Sequence, residues 1–395
     1  MEKAGPLLKS LIIPFCTVLL ALLAYSRGWL AGVVPQIVTF SVILLLLIAI
    51  GLSIGFKKSH FFFILLLLTI NYLFQSKYPG AYAVQQLLLF LFPLNIFIFA
   101  WLSERGIMTF WGKIRLGWIL LQVFIVYSFI IDHHIILEAK YLQALPIFLP
   151  APLNYLLAAF YIGILITLSM IKFKHSFSTF ISLIITVCFG LYYGNNSLSW
   201  PLFTATAAII IIVAAVQVIY RLAFIDELTG LYSRRCFNLD MMRLSGTYTM
   251  AMLDIDHFKR LNDTYGHDVG DQVLRYITSF MRRTPRGVKA YRYGGEEFAV
   301  VFSGIGKSDA VPYLEDLRKT MSQRSFMLRS QDRPQKKPKS GTSRHKDYQE
   351  IAVTVSIGVA DNGRKNFNPD DVIKAADKAL YQAKKNGRNR TCLYN

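Results

Sequence analysis

The stretch AYRYGGEEFAVVF, residues 290–302, sets the architecture of the C-terminal half. Ala290–Arg292 and Phe298–Phe302 are short apolar runs flanking Gly294 and Gly295, the pattern of two strands joined by a turn. Glu296 and Glu297 then stand at that turn. A second run, TMAMLDI at residues 249–255, has the length of a strand and ends in acids, Asp254 among them. A sheet that pairs these strands gathers three carboxylates in one place. Carboxylates grouped without arginine partners repel one another unless a cation neutralises them, and hard oxygen ligands of this kind suit Mg2+ or Mn2+. Taken by themselves, the same acids read better as solvated turn residues.

The neighbouring segments alternate in kind. Asp268–Arg283 has helical periodicity, a helix is expected over Pro312–Arg324, a strand over Ile351–Ile357 and a helix over Pro369–Lys385. Strands and helices interleaved around an antiparallel hairpin define an α+β sheet with helices packed on it. Between them, Arg329–Lys346 is polar and basic, the composition of a solvated loop or of a contact with a membrane surface.

The N-terminal half is of another composition. Up to Tyr220 the chain has 12 Lys and Arg against 4 Asp and Glu, whereas the remaining 175 residues carry 31 and 20. The boundary therefore falls at residue 220, giving units 1–220 and 221–395. About eight runs of the roughly 20 apolar residues that a bilayer crossing needs centre on Cys16, Leu45, Leu66, Pro93, Val126, Tyr161, Ile185 and Ile212. A multi-span α-helical module embedded in a lipid bilayer is expected, its first run being a retained helix. Lys3, Lys9, Lys57, Lys58, Arg105, Lys113, Arg115, Lys172 and Lys174 fall in alternate connections, against Arg27, Lys77 and Lys140 in the others. The richer side is the cytoplasmic one, which puts both termini inside. Trp101, Trp111, Trp118 and Trp200 read as interfacial anchors. Asp132, His133 and His134 read as a solvated helix end or a ligand site. No Gly, Pro or Ser-rich stretch separates the last run from residue 224, so a stiff helical joint is expected. The net charge of +19 is assigned to anionic lipid and polyphosphate, not to nucleic acid. Cys16, Cys188, Cys236 and Cys392 lack CxxC spacing, which argues against a zinc site and a disulfide framework.

The motifs of the C-terminal half are similar to those of the GGDEF family of diguanylate cyclases. The resemblance rests on Asp226-Glu227-Leu228-Thr229-Gly230-Leu231, Leu253-Asp254-Ile255-Asp256-His257-Phe258-Lys259, Asn262-Asp263, Gly266–Asp271, Arg292–Phe298, Val355–Ala360 and Ala376–Asn389, in that order. It covers residues 222–395 and none of the membrane half. It implies a palm-like sheet shared with nucleotidyl cyclases, and condensation of two GTP into cyclic di-GMP and pyrophosphate; taken with the apolar runs, a bacterial inner-membrane enzyme is expected.

By the same resemblance two Mg2+ or Mn2+ ions per site are held by Asp254, the Ile255 carbonyl, Glu297 and Glu296. Glu296 is either a further ligand or the base for the ribose 3′-hydroxyl. Asn262 and Asp271 are expected to read guanine, with His267 as a pocket wall or a packing residue. Lys384 and Arg388, one helical turn apart, and the backbone N–H groups at Phe258 and Lys259 are expected to meet the triphosphate. Because each site holds one GTP, a homodimer of catalytic domains is implied, controlled by a signal or partner at the membrane module. The alternative is an inactive GTP-binding or receptor domain. One departure stands out: the family's inhibitory Arg-x-x-Asp falls at Pro285 and Val288, so no inhibitory site is expected.

Overall fold

The computed structural model of the chain describes residues 4–29, 32–33, 35–77, 82–132, 151–172, 176–193, 198–282, 284–329, 348–363 and 368–394. It divides into two compact units, Met1–Ile219 and Tyr220–Asn395.

The regular elements among the first unit's described residues are all helices: α1 (Ala4–Ser26), α2 (Pro35–Gly55), α3 (Ser59–Lys77), α4 (Tyr82–Trp101), α5 (Phe110–Asp132), α6 (Ala151–Lys172), α7 (Ser176–Tyr192) and α8 (Ser199–Phe224). Each expected run centre lies in a different one of these helices. Among the described residues, Gln36–Gly55, Ser59–Lys77, Phe110–Ser128 and Ser199–Phe224 are long and apolar enough to cross a membrane, and shorter apolar stretches occupy the other four helices. Phe63, Ile64, Phe99, Ile184 and Ile211 are buried in the interior, whereas Phe40, Leu47, Phe124 and Phe160 point outward and are more than 60% exposed. A soluble monomer rarely carries so much apolar surface.

Trp200 corrects one expectation. It is 7% exposed and packs on Gly190, where even a Cβ would strike its ring, so it serves the α7–α8 contact and not an interface. Trp118 also has a partner inside, donating to Asn95 Oδ1 at 2.9 Å. Arg115, counted among the loop cations, turns inward and donates to Ser59 Oγ and the Ser103 carbonyl at 3.0 and 2.7 Å. His133, His134 and the body of the basic insertion lie outside the described residues, as does the side chain of Asp132.

The second unit follows as β1 (Tyr232–Ser233), α9 (Arg234–Met241), β2 (Tyr248–Ile255), α10 (Phe258–Tyr265), α11 (His267–Met281), β3 (Val288–Arg292), β4 (Glu297–Ser303), α12 (Lys307–Gln323), β5 (Phe326–Arg329), β6 (Tyr348–Ile351), β7 (Val355–Asp361), α13 (Pro369–Lys385) and β8 (Thr391–Leu393). Six strands form one sheet in the order β1-β3-β4-β2-β7-β8, with β2 antiparallel to both β4 and β7. Strand side chains alternate between faces. Ala251, Leu253 and Ile255 therefore enter one core with Val273, Ile277 and Leu314 of α11 and α12, and Met250 and Met252 enter the other with Phe237 of α9 and Ala376 and Leu380 of α13.

The two ends of α13 match the expected bounds because both are marked locally. Asn368 and Asp371 form a reciprocal capping box before Pro369. At the other end Gly387 adopts φ 105° and the Arg388 N–H reaches the Ala383 carbonyl at 3.0 Å, a Schellman closure. Elsewhere the expectations need correction. The helix expected from Pro312 starts at Lys307, with Pro312 inside it. The strand expected over Ile351–Ile357 is two strands, because Thr354 leaves the ladder to meet Asp256 through its carbonyl and hydroxyl at 2.9 and 2.7 Å.

Candidate active site

Asp254 and Glu297 are register partners across β2 and β4. Directly opposed residues share a face, and Asp254 follows Met250 and Met252 in the alternation, so both acids stand on the face covered by α13. That helix lies close because β7 offers Gly358 beneath it. A Cβ there would run into the Leu380 backbone N and the Ala376 carbonyl. The close approach lets Lys384, in the last turn of α13, put Nζ 2.8 Å from Asp254 Oδ2. Asp254 is only 6% exposed. Its pKa is raised, first by burial and then by Glu297 and Asp256, with Lys384 opposing the shift. Glu296 is raised too, by burial first and by Asp254 second.

Among the described residues no three His, Cys, Asp or Glu side chains converge as a ready metal cluster. The donor chemistry nevertheless fits a hard cation. A buried carboxylate whose pKa is raised by its acidic neighbours favours positive charge beside it, and Lys384 supplies it to Asp254 in the way a divalent ion would. Asp254 and Glu297, with Glu296 within electrostatic reach, are the residues that could hold such an ion, together with the Ile255 carbonyl at the end of the strand. Glu297 folds back over the turn, its carboxylate filling the space that a side chain at Gly294 would need.

Two residues with no role assigned from sequence fix that turn. Arg292 Nη1 donates to both Asp226 oxygens at 3.0 and 3.1 Å. Its Nε and Nη2 donate to the Gly294 and Gly295 carbonyls at 2.8 to 3.2 Å. Burial raises the Asp226 pKa, but hydrogen bonds from Thr229 and Arg292 outweigh it and leave the carboxyl below its ordinary range. Asp256 is a second fastener: 8% exposed, it accepts from Thr354 Oγ1, Ser356 Oγ and the Asn389 backbone N at 2.7, 2.7 and 3.1 Å. Arg318 grips the same Asn389 by its carbonyl and Oδ1 at 3.0 and 2.7 Å. No sequence pattern marks these partners, because they lie up to 133 residues apart.

The remaining expected residues fall into two groups. Asn262 on α10 packs against Gly270 of α11, where any Cβ would collide with its side chain, and its Oδ1 is buried without a hydrogen-bond partner. Asp271 follows Gly270 on the same helix and is half-buried. His267 is exposed as the first residue of α11. Phe258 and Lys259 open α10, whose first-turn N–H groups are unpaired within the helix. Phe258 itself is buried at 6%. Lys384 is engaged with Asp254, and Arg388 lies beyond the end of α13 at φ 64°, so the two do not share a helix face. Val288 is buried at 5% in the core, and Pro285 precedes it in a loop.

A six-stranded mixed sheet, antiparallel at its centre with β1–β3 and β7–β8 parallel, packed by helices on both faces, is the fold of the nucleotidyl-cyclase-like α+β class. Residues 223–390 match the family described as "Diguanylate cyclase, GGDEF domain". Through these residues the second unit carries a GGDEF domain. It is 37% identical over 202 residues to Diguanylate cyclase VdcA of Vibrio cholerae, covering 50% of this chain and 55% of that protein. It is 38% identical over 179 residues to Response regulator PleD of Caulobacter vibrioides, covering 42% of this chain and 35% of that one. The chain thus spans between a third and little more than half of these relatives. Among solved structures it is similar to the coiled coil and GGDEF domain of DgcB from Caulobacter crescentus in complex with c-di-GMP. The identity is 34%, with 50% of this chain and all of that chain covered, at a TM-score of 0.43.

Proposed function

We propose that the chain is a membrane-bound diguanylate cyclase that joins two GTP into cyclic di-GMP. The observation that carries this reading is the opposition of Asp254 and Glu297 across β2 and β4, beneath Lys384, within a unit that matches the GGDEF domain. In each half-reaction the 3′-oxygen of one GTP bonds to the α-phosphorus of the other, and the bond from that phosphorus to pyrophosphate breaks. Glu296, its pKa raised, is suited to take the hydroxyl proton. Asp254, the Ile255 carbonyl and Glu297 would hold Mg2+ or Mn2+, two ions per site. Bound there, the ions would neutralise charge on the phosphates.

The unpartnered Asn262 Oδ1 offers an acceptor to a base-edge N–H, and Asp271, one residue beyond the Gly270 that Asn262 packs on, would offer two more. Guanine presents N1–H and N2–H donors on one edge, whereas adenine cannot supply that pair. Arg388, the first-turn N–H groups at Phe258 and Lys259, and Lys384 once a divalent ion has taken its place beside Asp254, would bind the triphosphate. Since one site holds one GTP, catalysis requires two such units face to face, as a homodimer. The exposed apolar flanks of α2, α5 and α6 support a multi-pass position in a bacterial inner membrane, with both termini in the cytoplasm where GTP is available. Regulation by a signal or partner at the helical unit would pass through the helical segment that ends at Phe224.

The test is product analysis. Detergent-purified full-length protein with GTP and Mg2+ should form cyclic di-GMP and pyrophosphate. GTP bound but recovered unchanged would establish the inactive GTP-binding alternative instead.

A further inference from the structure

Three helices of the first unit each bring a side-chain amide to one interior cavity, and one of these amides has no partner. Asn71 on α3 is 2% exposed, and neither its Oδ1 nor its Nδ2 meets a hydrogen-bonding atom. Asn95 on α4 and Gln122 on α5 are instead paired reciprocally. Asn95 Nδ2 donates to Gln122 Oε1 at 2.7 Å, and Gln122 Nε2 donates to Asn95 Oδ1 at 3.0 Å. All three amides line a cavity of about 30 Å3, walled otherwise by apolar side chains such as Leu91, Phe92 and Val126.

An amide buried without partners loses its hydration and regains nothing, which is why such groups are nearly always found bonded to protein or to ordered water. The occupant that repairs this is constrained in three ways. Every described residue lining the cavity is uncharged, so an ion would be stripped of solvent with no counter-charge beside it. An apolar occupant would leave Asn71 unpaired. A water needs roughly 10–15 Å3 of such space, so there is room for about two water-sized groups.

We infer that this cavity is a ligand site of the helical unit for a neutral molecule of one to about three heavy atoms that both donates and accepts a hydrogen bond. Asn71 Oδ1 accepts from it and Nδ2 donates to it. Asn95 and Gln122 each keep one amide hydrogen beyond their mutual pair, and either can donate to its far side. The ligand thereby joins α3 to the α4–α5 pair. Solvent water and a small neutral solute share this chemistry, and either source satisfies the site.

The test uses the full chain in lipid nanodiscs. A cryo-electron microscopy map should show density within about 3.2 Å of the Asn71 amide, and the density should vanish in Asn71→Leu. Formamide, titrated into the wild-type protein, separates the sources. A rise in Tm of about 2 °C or more that Asn71→Leu lacks assigns the site to a solute, and density without that rise assigns it to water. Should Asn71→Leu fail to insert, Asn71→Ala, which also has no side-chain hydrogen-bonding atom, replaces it in both measurements. A wild-type map with an empty cavity, or with the Asn71 amide turned onto a protein partner, overturns the inference.

Discussion

Lys384 Nζ lies 2.8 Å from Asp254 Oδ2, so the last turn of α13 sets a positive charge on the buried acid at the end of β2. The contact depends on a third residue that touches neither partner, since only glycine at 358 lets α13 lie on the sheet this closely. The acids at this strand end are held in place by the surrounding structure before any substrate arrives, and their own charge works against them.

The first expected consequence concerns stability against pH. Asp254 and Glu296 have folded pKa values above their ordinary ones, burial being the main cause for both. Their stabilising contribution is complete below the ordinary carboxylate pKa and is lost as pH rises through the raised values. Glu315 is the opposite case, held at about 2 chiefly by its hydrogen bonds from Arg318, so its contribution is complete above the ordinary range and constant there. In EDTA the wild-type Tm should therefore fall relative to Asp254→Asn as pH rises from the ordinary carboxylate range through the raised Asp254 pKa. Added Mg2+ should raise the wild-type Tm by a few degrees and leave Asp254→Asn nearly unmoved. Parallel pH profiles for the two proteins, with no separate effect of Mg2+, would contradict this.

Arg292 holds both glycine carbonyls of the turn and is itself pinned by Asp226. Arg292→Ala and Asp226→Ala should each lower kcat on the order of tenfold to a hundredfold, the usual penalty for a small misplacement of catalytic groups, with KM for GTP within about twofold. Steady-state pyrophosphate release reads both constants. A change confined to KM would show that the pair serves binding and not the placement of Glu296 and Glu297.

Much of this unit is legible from sequence, and the reasons differ by element. The ends of α13 are written locally, in Asn368, Asp371 and Gly387, and the β2 alternation announces which residues share Asp254's face. The Lys384 contact is not legible, because it arises from how closely a helix lies on a sheet. Pro312 misleads for a related reason: proline favours the first turn of a helix, and nothing nearby marks Lys307 as the true start. In the first unit, apolar runs reveal the helices but not which ones meet, so the amides of Asn71, Asn95 and Gln122 give no sequence signal of sharing a cavity.

Base selection should depend on Asn262 and Asp271. Asn262→Ala removes the unpartnered acceptor, and Asp271→Ala removes two more, so each should raise KM for GTP by the equivalent of about 1–3 kcal/mol. Competition between GTP and ATP should narrow in parallel. Unchanged GTP kinetics for either variant would remove that residue from the pocket.

Feedback by product should be weak. Val288 is buried in the core and Pro285 carries no donor, so neither can meet the phosphates or guanine edges of cyclic di-GMP. Control would then act through the helix that ends at Phe224. Two or three glycines inserted within Tyr220–Phe224 should change turnover in membranes while GTP affinity stays constant. Strong inhibition by low-micromolar cyclic di-GMP, or turnover unaffected by the insertion, would refute this.

The central claim is that the acids at the end of β2 and β4 perform the condensation, and Glu297→Gln tests it most directly. The substitution removes one negative charge and almost no volume, and Glu297 is exposed at the start of its strand, so expression, insertion and circular dichroism should match the wild type. Cyclic di-GMP formation from GTP and Mg2+, measured on the purified full-length protein, should fall at least about a hundredfold. A folded Glu297→Gln protein that still makes cyclic di-GMP at a rate near the wild type's would contradict the account.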